Sequence, residues 1–271
     1  MVCETFKNKL KIVFVIMGLT AVVAGIILVK QERGTRVKVD IFAHRGDHRK
    51  APENTIPAFE EAIENGADGI ELDVTQSRDG ELIVVHDDNL ARVAGVDQNV
   101  WDLTFDEIQQ IDVGVSSGSG YAGTRIPSLS QVLELCKGKT RLYIELKYNG
   151  HEKPDFVERV LQMIEDEKME KECLVASFHY EFVEQVKALN PKITSGLIFY
   201  EEGTSWNQYS AVDLFSVHYE ILTDEMVKDM HEAGKGVYVW TVDREEEAQR
   251  CIEWGVDCIV TNSLSIGEAF D

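Results

Sequence analysis

Short runs rich in β-branched residues alternate with helical patterns of about ten to fifteen residues from Val39 to the end of the chain, which is typical of βα units on a parallel sheet. The sequence predicts eight strands, near residues 41–43, 69–74, 142–146, 174–176, 193–198, 212–217, 237–240 and 258–260. The clearest helices are predicted at residues 55–65, 154–167, 180–189, 224–233 and 244–254. Eight such units closing on themselves would form a (β/α)₈ barrel, and a doubly wound sheet is the alternative.

The first segment of the chain differs from the rest. Residues 12–29 contain no charged side chain over 18 positions, and as a helix they would span about 27 Å at about 1.5 Å per residue, which is membrane length. A cleaved signal peptide is the alternative, but the apolar run continues past the small residues near a possible cut. The sequence therefore predicts an N-terminus on the cytoplasmic side at 1–11, a single transmembrane anchor at 12–29, a linker at 30–38 and a barrel at 39–271 on the extracellular side.

The chain is strongly acidic, with a formal net charge of −21. Seven Lys or Arg and two Glu lie before Val39, so the remainder is more acidic still. Such a field repels nucleic acid and anionic lipid headgroups, and we expect no nucleic-acid partner. The five cysteines are odd in number and form no CxxC pair, which favours buried thiols over a disulfide or zinc framework.

Residues 71–88 read ELDVTQSRDGELIVVHDD, and they predict a hairpin. Too few residues separate the run at 82–85 from the strand at 69–74 for a parallel crossover, and Asp79-Gly80 is a strong turn signal. A two-residue loop at Asp79-Gly80 would place Asp73 opposite His86, with both side chains on one face. The looser stretch at 89–126 is interpreted as an insertion or lid beside the barrel mouth.

Charged side chains gather where the predicted strands end. Because the carboxyl ends of barrel strands form the active-site face, we expect a site there. Three carboxylates from two strands would repel one another without a cation, and oxygen ligands of this kind suit Ca²⁺ or Mg²⁺ rather than zinc. Solvated rim charges are the alternative, but histidines and basic residues arrive on the same rim. The predicted site comprises His44, Arg45, Glu71, Asp73, His86, Glu145 and Lys147.

Two aromatic residues, Phe178 and Trp240, also fall at strand ends and are candidates to line the pocket or to pack in the core. Three other histidines are interpreted as surface or structural side chains: His151, His179 and His231. His218 is interpreted in the same way, but it lies just past a predicted strand end and is therefore the fourth histidine with a potential role in the site.

The stretch AHRGDHRKAPENTIPAFEEAIENGADGIELDVTQSRDGELIVVHDDNL, with IPSL, IELK, ASF and VWTVD further on, resembles the glycerophosphodiester phosphodiesterase family. The resemblance runs from Val39 to the C-terminus. It implies a (β/α)₈ barrel that uses a divalent metal, Ca²⁺ or Mg²⁺, to hydrolyse glycerophosphodiesters, with a lysophospholipid as another possible substrate. From a glycerophosphodiester the products would be glycerol 3-phosphate and an alcohol.

The resemblance also implies residue roles. His44 and His86 would be the acid/base pair, Arg45 and Lys147 would meet the phosphate, and Glu53 would support the site by hydrogen bonding or join the metal shell. The implied metal ligands are Glu71, Asp73 and Glu145.

One departure from the family pattern is visible. The family often ends its last strand in Thr-Asp-x-Pro, whereas this chain has Thr261-Asn262-Ser263-Leu264, and we expect the change to affect a contact at the rim only. Two other functions remain open at this point: a phospholipase-type lyase that stops at a cyclic phosphate, and a catalytically inactive, tethered binding module.

Overall fold

Eight parallel strands close into a barrel in the computed structural model, which describes residues 38–115 and 119–268. The first strand pairs with both the second and the last, which closes the cylinder and rules out the doubly wound alternative. The (β/α)₈ prediction is confirmed. The strands are β1 (Asp40–His44), β2 (Gly69–Gln76), β3 (Leu82–Val84), β4 (Arg141–Leu146), β5 (Cys173–Ser177), β6 (Thr194–Phe199), β7 (Leu214–His218), β8 (Gly236–Trp240) and β9 (Cys258–Thr261), of which β3 is the antiparallel addition.

Helices follow most barrel strands and cover the outside of the cylinder. Their N-termini carry side-chain caps where the sequence offers Thr or Ser, as at Thr55, Ser128 and Thr223. The helix that begins after Ser128 was not predicted. The helices are α1 (Ile56–Glu64), α2 (Ala91–Ala94), α3 (Phe105–Ile108), α4 (Leu129–Cys136), α5 (Phe156–Asp166), α6 (Tyr180–Leu189), α7 (Asp224–Glu232), α8 (Glu245–Trp254) and α9 (Ser265–Glu268).

Apolar side chains form separate layers inside and outside the barrel. Phe42, Tyr143 and Ile198 belong to the buried interior cluster, while larger clusters lie between the sheet and the helices. The four cysteines among the described residues are buried free thiols. Within the ranges 38–115 and 119–268, no helix is long and apolar enough to cross a bilayer, and the anchor predicted at 12–29 lies outside those ranges.

Close packing against Phe42 requires a glycine at the start of β2. A Cβ atom at position 69 would lie 2.3 Å from Cζ of the Phe42 ring, which is fully enclosed. We therefore expect Gly69→Ala to lower the free energy of unfolding by about 1–3 kcal/mol through overpacking. Denaturation followed by circular dichroism measures this, with Gly120→Ala as a control because nothing lies within 4 Å of a Cβ there. Equal stabilities of the two variants would contradict the packing argument.

The predicted register of the hairpin is wrong by one residue. Val74 lies opposite Val84 and Gln76 opposite Leu82, so Asp73 is opposite Val85, whose amide donates to the Asp73 carbonyl at 3.0 Å. The loop has three residues rather than two, because a two-residue type I′ turn needs positive φ at both positions. Among the described non-glycine residues, positive φ occurs elsewhere and not at Asp79, whereas Gly80 has φ 87°.

The insertion at 89–126 has a small core of its own where the structure describes it. Leu90, Val100 and Ile108 pack with Ile83 and Val85 in one buried cluster. The last two belong to the returning half of the hairpin, residues 82–88, which we call the hairpin arm. The backbone of the hairpin arm is also tied to the residue that follows the insertion, since the Val84 amide donates to the Pro127 carbonyl at 2.9 Å. The insertion therefore fixes the arm that carries His86.

Candidate active site

The parallel register brings the predicted site residues together at the C-terminal ends of β1, β2 and β4. His44 lies beside Glu71 across the β1–β2 ladder, and Asp73 lies beside Glu145 across the β2–β4 ladder. Because side chains alternate along a strand, Glu71 and Asp73 point to the same side. Ladder pairing alone therefore assembles three carboxylates and one imidazole.

Three buried carboxylates form the centre of the site. One oxygen each from Glu71, Asp73 and Glu145 lies within 4.8 Å of the others. Burial, with the charges of its two neighbours, raises the pKa of Glu71 well above its usual range. Burial raises the pKa of Glu145 more than the nearby Lys147 lowers it. Asp73 is also buried, but the positive charges of Lys147 and Arg45 outweigh the effect of burial and lower its pKa to about 2.

Two basic side chains lie against these carboxylates. Lys147 Nζ is 2.8 Å from Glu145 and 3.4 Å from Asp73. The Arg45 amide donates to Glu71 at 3.0 Å, while Arg45 Nε is buried without a hydrogen bond and faces Asp73 Oδ2 at 3.4 Å. The two cations compensate part of the acidic charge and are suited to meet an anionic substrate at the same place.

An amide that the sequence analysis missed orients Asp73. Asn54 Nδ2 donates to Asp73 Oδ2 at 2.8 Å, and the Asp73 amide donates to Asn54 Oδ1 at 3.3 Å. Asn54 adopts φ 55°, a conformation that asparagine tolerates better than most residues. Its position next to Glu53 in the PENT motif, residues 52–55, was the sequence feature that could have identified it.

Asn262, which belongs to the departure from the family pattern that we expected to affect a contact at the rim only, instead contacts His44. His44 Nδ1 lies 2.6 Å from Asn262 Oδ1, and His48 Nε2 is 2.6 Å from the same oxygen. Asn262 Nδ2 donates to Asp243, which turns the amide oxygen toward the two rings, so His44 donates through Nδ1 and presents Nε2 to the site. Burial and the nearby Arg45 lower the pKa of His44 from 6.5 to about 4, so the ring is neutral near pH 7.

His86 reaches the site although the predicted register is wrong. Strand β3 ends at Val84, so the alternation of faces no longer applies two residues later, and His86 lines the same cavity as His44 and Glu71. The His86 ring is held from outside the cavity, because Nδ1 lies 2.8 Å from Asp87 Oδ1. Asp87 directly follows His86 in the sequence and was also missed.

Aromatic side chains also line the cavity, which has a volume of about 150 Å³. Phe178 and Trp240 meet edge to face with ring centroids 5.5 Å apart, and Tyr143 lies at the barrel interior. His218 packs behind Trp240 at 5.0 Å and does not line the cavity.

Glu53 lies apart from the carboxylate cluster. It accepts a hydrogen bond from Arg45 Nη1 at 3.0 Å and two from Arg92 at 2.7 Å each. Among the described residues, the group able to hold a metal ion is Glu71, Asp73 and Glu145. Of the two roles considered for Glu53, the geometry favours support over membership in the metal shell.

The donor set fits a hard divalent cation. Its donors are carboxylate oxygens, which Ca²⁺ and Mg²⁺ prefer, and sulfur is absent from the group. Burial and the charges of Asp73 and Glu145 raise the pKa of Glu71 more than Arg45 lowers it. A divalent cation would supply the missing positive charge.

Residues 44–265 match the sequence profile of the Glycerophosphoryl diester phosphodiesterase family. The chain belongs to that family. It is 37% identical over 231 residues to a glycerophosphodiester phosphodiesterase of Caldanaerobacter subterraneus, covering 83% of this chain and 95% of the relative. A glycerophosphodiester phosphodiesterase of Bacillus altitudinis is 34% identical, over 82% of this chain and 94% of that protein.

Solved structures of the phosphodiesterase family agree with this assignment. The structure of an Oleispira antarctica phosphodiesterase in complex with the product sn-glycerol-3-phosphate superposes with a TM-score of 0.81 at 26% identity, over 86% of this chain and 96% of that one. A glycerophosphodiester phosphodiesterase from Agrobacterium tumefaciens gives a TM-score of 0.75 at 25% identity, over 86% of this chain and 100% of that one. The predicted enzyme class, a phosphoric diester hydrolase, is confirmed.

Proposed function

We propose that this chain hydrolyses glycerophosphodiesters to glycerol 3-phosphate and an alcohol, using a His44/His86 acid/base pair and a divalent cation held by Glu71, Asp73 and Glu145. The observation that carries the proposal is that both histidines, Arg45 and two of the three clustered carboxylates, Glu71 and Glu145, line one cavity. The product named in the Oleispira antarctica complex, sn-glycerol-3-phosphate, supports the choice of substrate class.

The residues divide the chemistry between them. His44 is the base, because its ring is neutral near pH 7 and presents Nε2 to the cavity while Asn262 holds the Nδ1 proton. His86 is the acid that supplies a proton to the leaving alcohol, and Asp87 orients its ring. A bound Ca²⁺ or Mg²⁺ would withdraw charge from the phosphate oxygens.

Basic and aromatic side chains bind the substrate. Arg45 and Lys147 neutralise the phosphate, and because the carboxylates hold them in place they need no reorganisation when it binds. Phe178 and Trp240 provide an apolar wall for the carbon atoms of the substrate.

A panel of glycerophosphodiesters tests the substrate class. We expect glycerol 3-phosphate from at least one of glycerophosphocholine, glycerophosphoethanolamine and glycerophosphoglycerol, whereas hydrolysis of a lysophospholipid in the same panel would release lysophosphatidate and an alcohol. The base can activate water directly or the adjacent glycerol hydroxyl, and ³¹P NMR distinguishes a transient cyclic phosphate from an accumulating one. A cyclic phosphate as the final product would identify the lyase instead, and no turnover of any substrate would favour the inactive binding module.

We propose also that residues 12–29 anchor the enzyme in a membrane as a single pass, with the barrel on the extracellular side. The apolar sequence supports this, and Val39–Asp271 form a compact unit of their own. Removal of residues 1–38 is therefore expected to give a soluble protein with the kcat of the full chain, because every proposed site residue follows that point.

Fractionation and turnover assays check the anchor. The full chain should pellet with membranes and the shortened chain should not. Protease treatment of intact cells should degrade the barrel, and a protected barrel would contradict the orientation. A full chain that remains in the soluble fraction would contradict the anchor.

A further inference from the structure

Arg92, in the first helix of the insertion, joins two carboxylates that each hold a proposed site residue. Its Nε donates to Asp87 Oδ2 at 2.6 Å. Its Nη1 and Nη2 donate to the two oxygens of Glu53 at 2.7 Å each. A guanidinium has the planar fork that such a double contact requires.

Each of the two carboxylates also forms a hydrogen bond with a proposed site residue. Asp87 Oδ1 is 2.8 Å from His86 Nδ1, and Glu53 Oε1 accepts from Arg45 Nη1 at 3.0 Å. An unbroken series of charge-assisted hydrogen bonds therefore runs from His86 through Asp87, Arg92 and Glu53 to Arg45. Arg92 itself does not line the cavity.

Backbone hydrogen bonds on both sides of His86 hold its main chain but do not fix the rotation of its imidazole ring, and the one after it runs from the Val100 amide to the Asp88 carbonyl at 2.8 Å. Strand β3 ends at Val84, and the last ladder contact of the arm is the Val85 amide to the Asp73 carbonyl. Beyond it, the His86 ring depends on Asp87. Burial opposes ionisation of Asp87, but the hydrogen bonds from Arg92 and His86 outweigh it and keep the pKa of the carboxyl below its usual range.

We propose that Arg92 is a positioning residue that aligns the imidazole of His86 with the phosphate-binding guanidinium of Arg45. The proposal rests on the proposed function, because it assigns those two groups to one reaction. Hydrogen-bond partners just outside a metal site orient the groups that they contact, and their loss typically costs about 10- to 100-fold in metal affinity or activity. We expect a loss of the same order for Arg92.

Arg78 provides a matched control. Its side chain is 52% exposed, against 51% for Arg92, and it also ties the hairpin to the insertion through an ion pair with Glu107 at 2.9 Å. It has no partner in the site. Arg78→Gln and Arg92→Gln therefore remove the same charge from equally exposed side chains that tie the insertion to the hairpin, and Arg92 also bonds Glu53.

The experiment compares steady-state kinetics on a glycerophosphodiester for the full chain and its variants. We expect Arg92→Gln to lower kcat about 10- to 100-fold, and Arg78→Gln to stay within about twofold of wild type. Arg92→Lys should recover only part of the loss, because an ammonium keeps the charge but lacks the fork. A cooperative thermal transition in each of the two glutamine variants would show that both are folded.

A double-mutant cycle with Asp87→Asn tests whether Arg92 acts through that carboxylate. The double variant should be no slower than the slower single variant, because both changes disturb the same series of hydrogen bonds. If the losses of kcat in the two single variants multiply in the double variant, or if Arg92→Gln is as active as Arg78→Gln, the positioning role of Arg92 is overturned. Either result would leave the proposed function unaffected. A wild-type chain inactive on every diester would instead overturn the proposed function, and this inference with it.

Discussion

His44→Ala and His86→Ala are each expected to lower kcat by about 10²- to 10⁴-fold, the usual cost of losing a general acid or base. Neither side chain belongs to a hydrophobic cluster of the barrel, and both line the cavity, so the fold should survive. Steady-state release of glycerol 3-phosphate measures the loss, and circular dichroism verifies that the variants are folded.

His231→Ala serves as the control for both histidine variants. His231 lies in the last turn of α7 and bonds Asp257, at the end of the barrel away from the carboxyl ends of the strands. Its replacement should leave kcat within about twofold of wild type, because it removes the same ring from a position that cannot reach the substrate. Near-normal turnover by either His44→Ala or His86→Ala would refute the acid/base pair.

Chelation is expected to abolish turnover, and Ca²⁺ or Mg²⁺ is expected to restore it. Glu145→Gln should weaken binding of that cation at least about tenfold. Loss of a side chain that only hydrogen-bonds to a metal ligand already lowers metal affinity by that factor, and Glu145 is proposed to be a ligand itself. Isothermal titration calorimetry measures the affinity directly, without reference to activity. Glu61→Gln, in α1 on the outside of the barrel, is the matched control. Equal affinities of the two variants would contradict the proposed ligand set.

The sequence was sufficient to predict the groups that β1, β2 and β4 place by ladder pairing. His44, Glu71, Asp73 and Glu145 occupy strand positions, so a correct assignment of strands and of the closed topology brings them together. The resemblance then provided roles for them. Alternation and parallel register are regular enough that no coordinates are needed for this part.

Contacts between segments that lie far apart in the sequence could not be predicted in the same way. Asn262 meets His44 across 218 positions, and Arg92 meets Glu53 across 39. Each contact depends on how a loop leaves its strand. The hairpin register failed for a related reason, because Asp79 keeps a negative φ and the loop gains a residue. A sequence pattern shows that Asp-Gly favours a turn but does not fix its length.

Release of glycerol 3-phosphate from a glycerophosphodiester tests the central claim most directly, measured before chelation, after chelation and after the cation is returned. We expect turnover in the untreated enzyme, none after exhaustive removal of divalent cations, and recovery on addition of Ca²⁺ or Mg²⁺. Full turnover by the chelated enzyme, or no glycerol 3-phosphate under any condition, would contradict it.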